Sequence, residues 1–124
     1  MPDLFADSFG LVACLEGNPR YVIIFRHRTL ATTALNILEL YATLAYRVTT
    51  AEARELSAGS LPMVQSIPGD VALPVGEFRL SMRARRRDYS YIDTWGYAAV
   101  RPLGVPLLTG DPAFKPIDHV EFVR

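Results

Sequence analysis

Leu107 and Leu108 stand between two turn-forming triplets, Gly104-Val105-Pro106 and Gly110-Asp111-Pro112, which leave room for a short buried strand and nothing longer. The stretch leading into it is helical in pattern. Tyr91, Ile92, Trp95, Ala98 and Ala99 recur at helical spacing, and Ser90 is placed to cap the first turn. A helix feeding a buried strand is half of an α/β repeat, and in open parallel sheets ligands gather at the carboxyl ends of the strands. Asp111 follows the strand, at that edge, and Asp93 lies in the first turn of the helix before it. If the rest of the chain returns further acids to the same edge, the product is a cluster of carboxylates.

Two further acids fit. Leu4, Phe5 and Ala6 form a short apolar run that ends at Asp7-Ser8, followed by an apolar helix over 9–15 that stops at Gly17-Asn18-Pro19. Residues 21–25 suit a short helix or a strand equally. A second strand is expected over 29–33, then a long helix over 34–46 that carries Glu39 in its early part, with Leu35 and Ala42 on the same face. Thr49-Thr50-Ala51-Glu52 has capping-box spacing and opens another helix, which fades near Gly59-Ser60. A third strand is expected over 63–67. The helix after Pro68-Gly69-Asp70 should break or start late at Pro74. Beyond it Val75, Phe78 and Met82 form an inward stripe, while Arg79, Arg83 and Arg86 line another face. The segment 120–123 closes the sheet as an edge strand.

Composition narrows the function classes. A chain of 124 residues builds a single domain, and its 50% hydrophobic content is globular. Lys plus Arg equals Asp plus Glu at 13 each, so net charge announces no polyanionic partner. No apolar run approaches the roughly 18 residues of a membrane span, and Asp3 and Asp7 stand where a signal peptide would be basic and then apolar. A cytoplasmic location is therefore expected. One cysteine and two unpaired histidines leave no zinc motif, so a bound metal would be held by oxygen.

Each acid also has a simpler role. Asn36 and Glu39, and Ser90 and Asp93, have capping-box spacing, Asp111-Pro112 fits an N-cap followed by proline, and Asp7 is placed to cap the first helix. Yet all four follow a strand or sit in the helix after one, and in a parallel sheet those junctions share one edge. Converging carboxylates repel unless a cation joins them, and hard divalent ions take a few carboxylates together with water and phosphate oxygen. That is the chemistry of metal-assisted phosphodiester cleavage.

These residues carry a resemblance as well. Asp7-Ser8 after a short strand, TTALNILELY with Glu39, SYIDTWGYA with Asp93 and PLLTGDPAF with Asp111 resemble the four acidic motifs of PIN domains, across nearly the whole chain. Length and the ending VEFV are most similar to the VapC-type toxins of toxin–antitoxin pairs. The resemblance implies a three-layer α/β/α sandwich around a mostly parallel sheet and an endoribonuclease that depends on Mg²⁺ or Mn²⁺. It also implies a homodimer and a small antitoxin partner. By the same resemblance Asp7, Glu39, Asp93 and Asp111 are the catalytic and metal-binding residues, with Ser8 and Thr109 as supporting polar groups. Phe9 departs from the small or polar residue common after Asp-Ser, and Pro74 and Pro102 fall where the family continues a helix.

Five arginines between Arg79 and Arg87 could lead an RNA backbone toward the acids or form a solvated face, with Arg79, Arg83 and Arg86 as the candidate RNA contacts. Trp95 and Tyr97 read as core or dimer contacts. Four helix-borne aromatics, Tyr41, Tyr46, Trp95 and Tyr97, give more apolar surface than one core hides, which again points to a dimer or a bound partner. A phosphatase of the haloacid-dehalogenase type needs a second Asp two residues after the first, where this chain has Phe9. The competing reading from another class is a catalytically silent PIN fold that binds RNA or protein.

Overall fold

The computed structural model describes residues 2–124. Its centre is a four-stranded, all-parallel sheet in the order β2-β1-β3-β4, built from Leu4–Ala6 (β1), Leu30–Ala31 (β2), Leu107–Thr109 (β3) and Val120–Phe122 (β4). The strands are short because each apolar run is short. Leu107 to Thr109 are all buried, as the flanking turns require, and β4 is the expected edge strand.

Alternation along the strands divides the core. Leu4, Ala6, Leu30 and Leu108 point to one face, where they pack with Leu11, Tyr21, Leu40, Leu44 and Ala53. Those partners come from α1 (Ser8–Leu15), α2 (Pro19–His27), α3 (Ala34–Leu44) and α4 (Thr50–Ala58). Phe5, Ala31 and Leu107 point to the other face and meet Met82, Tyr89, Tyr97, Val100 and Phe114. That layer is α5 (Ala72–Ala84) and α6 (Tyr91–Ala98) with the segments around them. The period of two in the strands thus yields the three layers. Each of these large side chains contributes about 1.5 to 3 kcal/mol by leaving water.

Several boundaries differ from expectation. Residues 21–25 are helical, since Asn18 caps Arg20 and Pro19 opens the first turn of α2. The second strand is only Leu30–Ala31, extended by a single bridge from Thr32 to Val64. The third strand expected over 63–67 is absent apart from that bridge, because a 3₁₀ turn over Leu61–Met63 consumes its start and Pro68 closes it. Helix α3 ends at Leu44, two residues short of the expected end. After a 3₁₀ turn over Gly69–Val71, α5 starts late enough that Pro74 lies in its first turn, where no backbone donor is needed. Asp70 does not cap it. Val75 and Met82 are buried and Phe78 half-buried, as the inward stripe required. In α6 the buried residues are Thr94, Gly96 and Tyr97, whereas Tyr91 is 76% exposed. Tyr97 is therefore core, on a stripe one residue away from Tyr91, Ile92 and Trp95.

Candidate active site

Parallel pairing of β1 with β3 brings the residues after both strands to one edge, and the side chains there are tied together. Asp7 is buried at 4% exposure and caps α1, with Oδ1 accepting from the Gly10 backbone N–H at 3.0 Å. Its Oδ2 accepts from the Thr109 hydroxyl at 2.5 Å, across a sequence separation of 102 residues. The Thr109 oxygen in turn accepts from the Asp111 N–H at 3.1 Å. Asp111 caps a 3₁₀ turn over Pro112–Phe114 through the Ala113 N–H, at 3.0 Å. Gly110 between them has no room for a side chain, because a Cβ would lie 2.3 Å from the Phe9 ring and 2.6 Å from the Val123 carbonyl oxygen. Phe9, the residue that departs from the family pattern, fills that space.

Asp93 enters from the other face of the sheet. The Ser90 hydroxyl accepts from its backbone N–H at 3.1 Å, which caps α6. Glu39 has no capping role. Thr33 caps α3 through the Asn36 N–H, so Glu39 lies midway along the helix, half-buried, and the capping-box pairing of Asn36 with Glu39 does not form. Leu35 and Ala42, its neighbours on that face, are exposed, and the helix buries Asn36, Leu40 and Leu44 instead. Glu39 borders a groove of about 290 Å³ with Ser8, Phe9, Thr43 and Arg47.

The carboxylates act on one another. Burial, opposed by the Thr109 hydroxyl and the Gly10 N–H and reinforced by the charges of Asp93 and Asp111, pushes Asp7 from the ordinary carboxylate range up to about 7. Asp93 is also raised, first by burial, against its hydrogen bond from Ser90, and then by the charges of Glu39 and Asp111. All four acids are therefore linked electrostatically. Among the described residues no three acid, histidine or cysteine side chains are close enough to ligate one ion directly. The donor chemistry nevertheless fits a hard divalent cation, since Mg²⁺ keeps several waters and needs only one or two carboxylates in direct contact.

Asn36 and Thr33 were not singled out from the sequence as part of the site. Asn36 is 1% exposed, accepts from the Thr33 hydroxyl at 2.6 Å and donates to Ser8 at 3.3 Å, while Gly96 of α6 approaches its amide closely. Ser8 also donates to the Asn36 carbonyl at 3.4 Å. This polar knot joins α1, α3 and α6 beneath the acids, and its signal was Thr33 three residues ahead of Asn36, an N-cap spacing. Thr32 adds a hydroxyl bond to the Ala6 carbonyl at 2.8 Å.

The candidate RNA contacts do not form one face. Arg83 is exposed on α5, and Arg86 lies beyond its end with φ of 60°. Arg79 is turned inward. Its Nε donates to the Tyr89 carbonyl at 2.9 Å and its guanidinium lies 4.1 Å from the centre of the Tyr91 ring.

Fold and edge together have the PIN-like form, an α/β/α sandwich around an all-parallel sheet with Asp7 and Asp111 following adjacent strands. The fold is similar to that of solved VapC and VapBC structures. The chain superposes on Mycobacterium tuberculosis VapC20, a sarcin–ricin-loop-cleaving toxin, with a TM-score of 0.79 and 21% identity, covering 98% of both chains. A DNA-bound VapBC from Salmonella typhimurium aligns with a TM-score of 0.76 at 11% identity, over 99% of this chain and 98% of that one. FitAcB from Neisseria gonorrhoeae gives 0.75 at 16% identity, over 97% and 96%. The chain matches no protein-family model and no curated protein.

Proposed function

We propose that the protein is a metal-dependent endoribonuclease that hydrolyses RNA phosphodiester bonds, and that it is the toxin of a toxin–antitoxin pair. The observation that supports this reading is that Asp7 and Asp111 follow adjacent parallel strands and share the Thr109 hydroxyl, while the charges of Asp93 and Asp111 reinforce the rise at Asp7 and that of Glu39 the rise at Asp93. A structural carboxylate gains nothing from being buried beside others of its kind. Similarity to the RNA-cleaving toxin from Mycobacterium tuberculosis supports the substrate class.

Mg²⁺ or Mn²⁺, when bound, supplies Lewis-acid stabilisation of a phosphate oxygen and a water of lowered pKa. Asp7, Asp93, Asp111 and Glu39 are the residues that would hold it, directly or through its waters. The Thr109 hydroxyl and the Gly10 N–H fix the two oxygens of Asp7, so that its orientation is set before any ligand arrives. Because Asp7 sits at about 7, it holds a proton through much of the neutral range and must release it to serve as a ligand. Cation affinity should therefore rise with pH through that range. Asp93, raised but more accessible, is suited to accept a proton from an attacking water. Arg83 and Arg86 are exposed, which supports a role for them in pairing with backbone phosphates.

The partners in this reading are an RNA substrate, a small antitoxin and a second copy of the chain. Leu38, Leu61, Leu73 and Leu80 are each more than half exposed, which supports a covered surface in the working assembly. No described helix is long and apolar enough to cross a membrane. The test is RNA cleavage by purified protein with Mg²⁺ and with EDTA, beside Asp93→Asn. Cleavage that EDTA leaves intact, or an Asp93→Asn protein as active as the parent, would refute the metal-nuclease reading and leave a silent binding domain.

A further inference from the structure

The segment between α5 and α6 is held in an unusual way. Arg79 reaches across it and engages residues on both sides of the α6 cap: the Tyr89 carbonyl at 2.9 Å, the Asp88 carboxylate at 3.7 Å and the Tyr91 ring at 4.1 Å. Ser90, whose neighbours on both sides make these contacts, is the residue that caps the Asp93 N–H. Tyr89 continues the connection. Its hydroxyl donates to the Ala113 carbonyl at 2.6 Å and its ring packs on Phe114 at 4.9 Å. Ala113 is the residue whose N–H holds the Asp111 carboxylate. One arginine and one tyrosine thus join the turn that presents Asp93 to the turn that presents Asp111.

Other uses of these side chains fit less well. The Arg79 side chain is only 22% exposed and its planar fork is already divided among a carbonyl, a carboxylate and an aromatic face, which leaves little of it for a phosphate. Tyr89 is 5% exposed and its hydroxyl is occupied. Core packing alone would not need the hydroxyl, since a phenylalanine fills the same volume.

We propose that Arg79 and Tyr89 form a brace that fixes the separation of Asp93 and Asp111, so that Arg79 serves the site by positioning and not by contact with RNA. The role in cleavage rests on the nuclease reading, whereas the mechanical coupling of the two turns does not. Arg79→Lys keeps the charge and loses the fork and the stacking; Tyr89→Phe keeps the packing and loses the bond to Ala113.

Two measurements separate the possibilities. The first is amide hydrogen exchange in metal-free protein, read at Asp93 and Ala113. Tyr89→Phe should accelerate exchange at Asp93 as well as at Ala113, and Arg79→Lys at Ala113 as well as at Asp93, in proteins that still melt cooperatively. Loosening confined to the turn nearest each substitution would overturn the brace. The second is Mn²⁺ titration calorimetry with RNA cleavage kinetics. Both variants should bind Mn²⁺ more weakly and lose on the order of 10- to 100-fold in kcat with little change in KM. A raised KM with unchanged kcat, joined to a flatter salt dependence of RNA binding in Arg79→Ala, would make Arg79 a phosphate contact and sink the proposal. If the parent itself neither binds Mn²⁺ nor cleaves RNA, the nuclease reading fails, and exchange at the two turns still decides whether the brace exists.

Discussion

Asp7 and Glu39, two of the candidate acids, stand in opposite conditions. Asp7 is buried, both its oxygens are bonded, and its backbone opens a helix. Glu39 projects from the middle of α3 beside an open groove, and no capping bond fixes its carboxylate. One acid has been placed by the fold at the expense of its own ionisation, while the other carries no such bonds. A site that must accept and release a charged ligand gains from both: a fixed point that sets the geometry and an adjustable one that follows the ligand.

The sharpest way to break this contrast is Asp7→Asn. In the folded protein Asp7 keeps its proton up to about pH 7, whereas in the unfolded chain it ionises near 3.8. Between those values the folded state binds the extra proton, so stability falls as pH rises through the window, by a total on the order of 4 kcal/mol. The Asn variant should lack that slope and, in EDTA at pH 8, melt above the parent while showing no RNA cleavage. Mg²⁺ should raise the parent's melting temperature, with stabilisation of about 2.7 kcal/mol at 100 times its dissociation constant, and should shift the variant much less. Melting curves from pH 4 to 8, with and without Mg²⁺, give both results. A parent whose stability is flat across that range would remove the premise.

A smaller effect is expected from Thr109→Val, which keeps the shape and deletes the hydroxyl. Asp7 Oδ2 then loses its donor and the Asp111 N–H its acceptor, at a cost of about 1 to 3 kcal/mol. Since the hydroxyl bond opposes the rise in the Asp7 pKa, its loss should extend the falling limb of the stability profile to higher pH. An unchanged profile would show that the fixed half of the site does not depend on this bond. Glu39→Gln should do least. Its melting temperature without metal should match the parent within the change produced by about 0.5 kcal/mol, while Mg²⁺ binding measured by calorimetry weakens. A loss of stability as large as that of Thr109→Val would mean that Glu39 is as structurally committed as Asp7.

Much of this was legible in the sequence because local chemistry and tertiary role agree. The turns around Leu107 and Leu108 defined β3, and Ser90 and Thr49 cap the helices assigned to them. Asp7 and Asp111 each cap the element that follows a strand, where a cap also fixes a carboxylate at the edge, whereas Asp93 lies in the first turn of α6, which follows α5 and is capped by Ser90. Glu39 shows the limit. Asn36 could pair with Glu39 or with Thr33, and spacing alone could not rank the two; Ser8 and the approach of Gly96 decided it from distant parts of the chain. The strand expected over 63–67 shrank to a single bridge because a 3₁₀ turn takes its first residue and Pro68 closes it, neither of which apolar content announces. Arg79 was grouped with the exposed arginines since one-dimensional charge pattern carries no information about Tyr89 and Tyr91, ten and twelve residues further on.

The pairing of β1 with β3 fixes how late in the growth of the chain the edge that carries Asp7 is completed. Strand β1 has its second neighbour, and Asp7 its hydroxyl partner, only in the segment around Thr109, 102 residues away. A chain growing from its N-terminus can form α1 to α4 and pack them against β1 and β2 long before that segment exists. Through this period the buried acid has no Thr109 to bond and no Asp111 beside it. Such long-range closure is slow in folding terms, because the entropy of joining the ends is lost before the contact repays it. Closure of the Asp7–Thr109 bond is therefore a late event, for which α1 to α4 can be formed in advance.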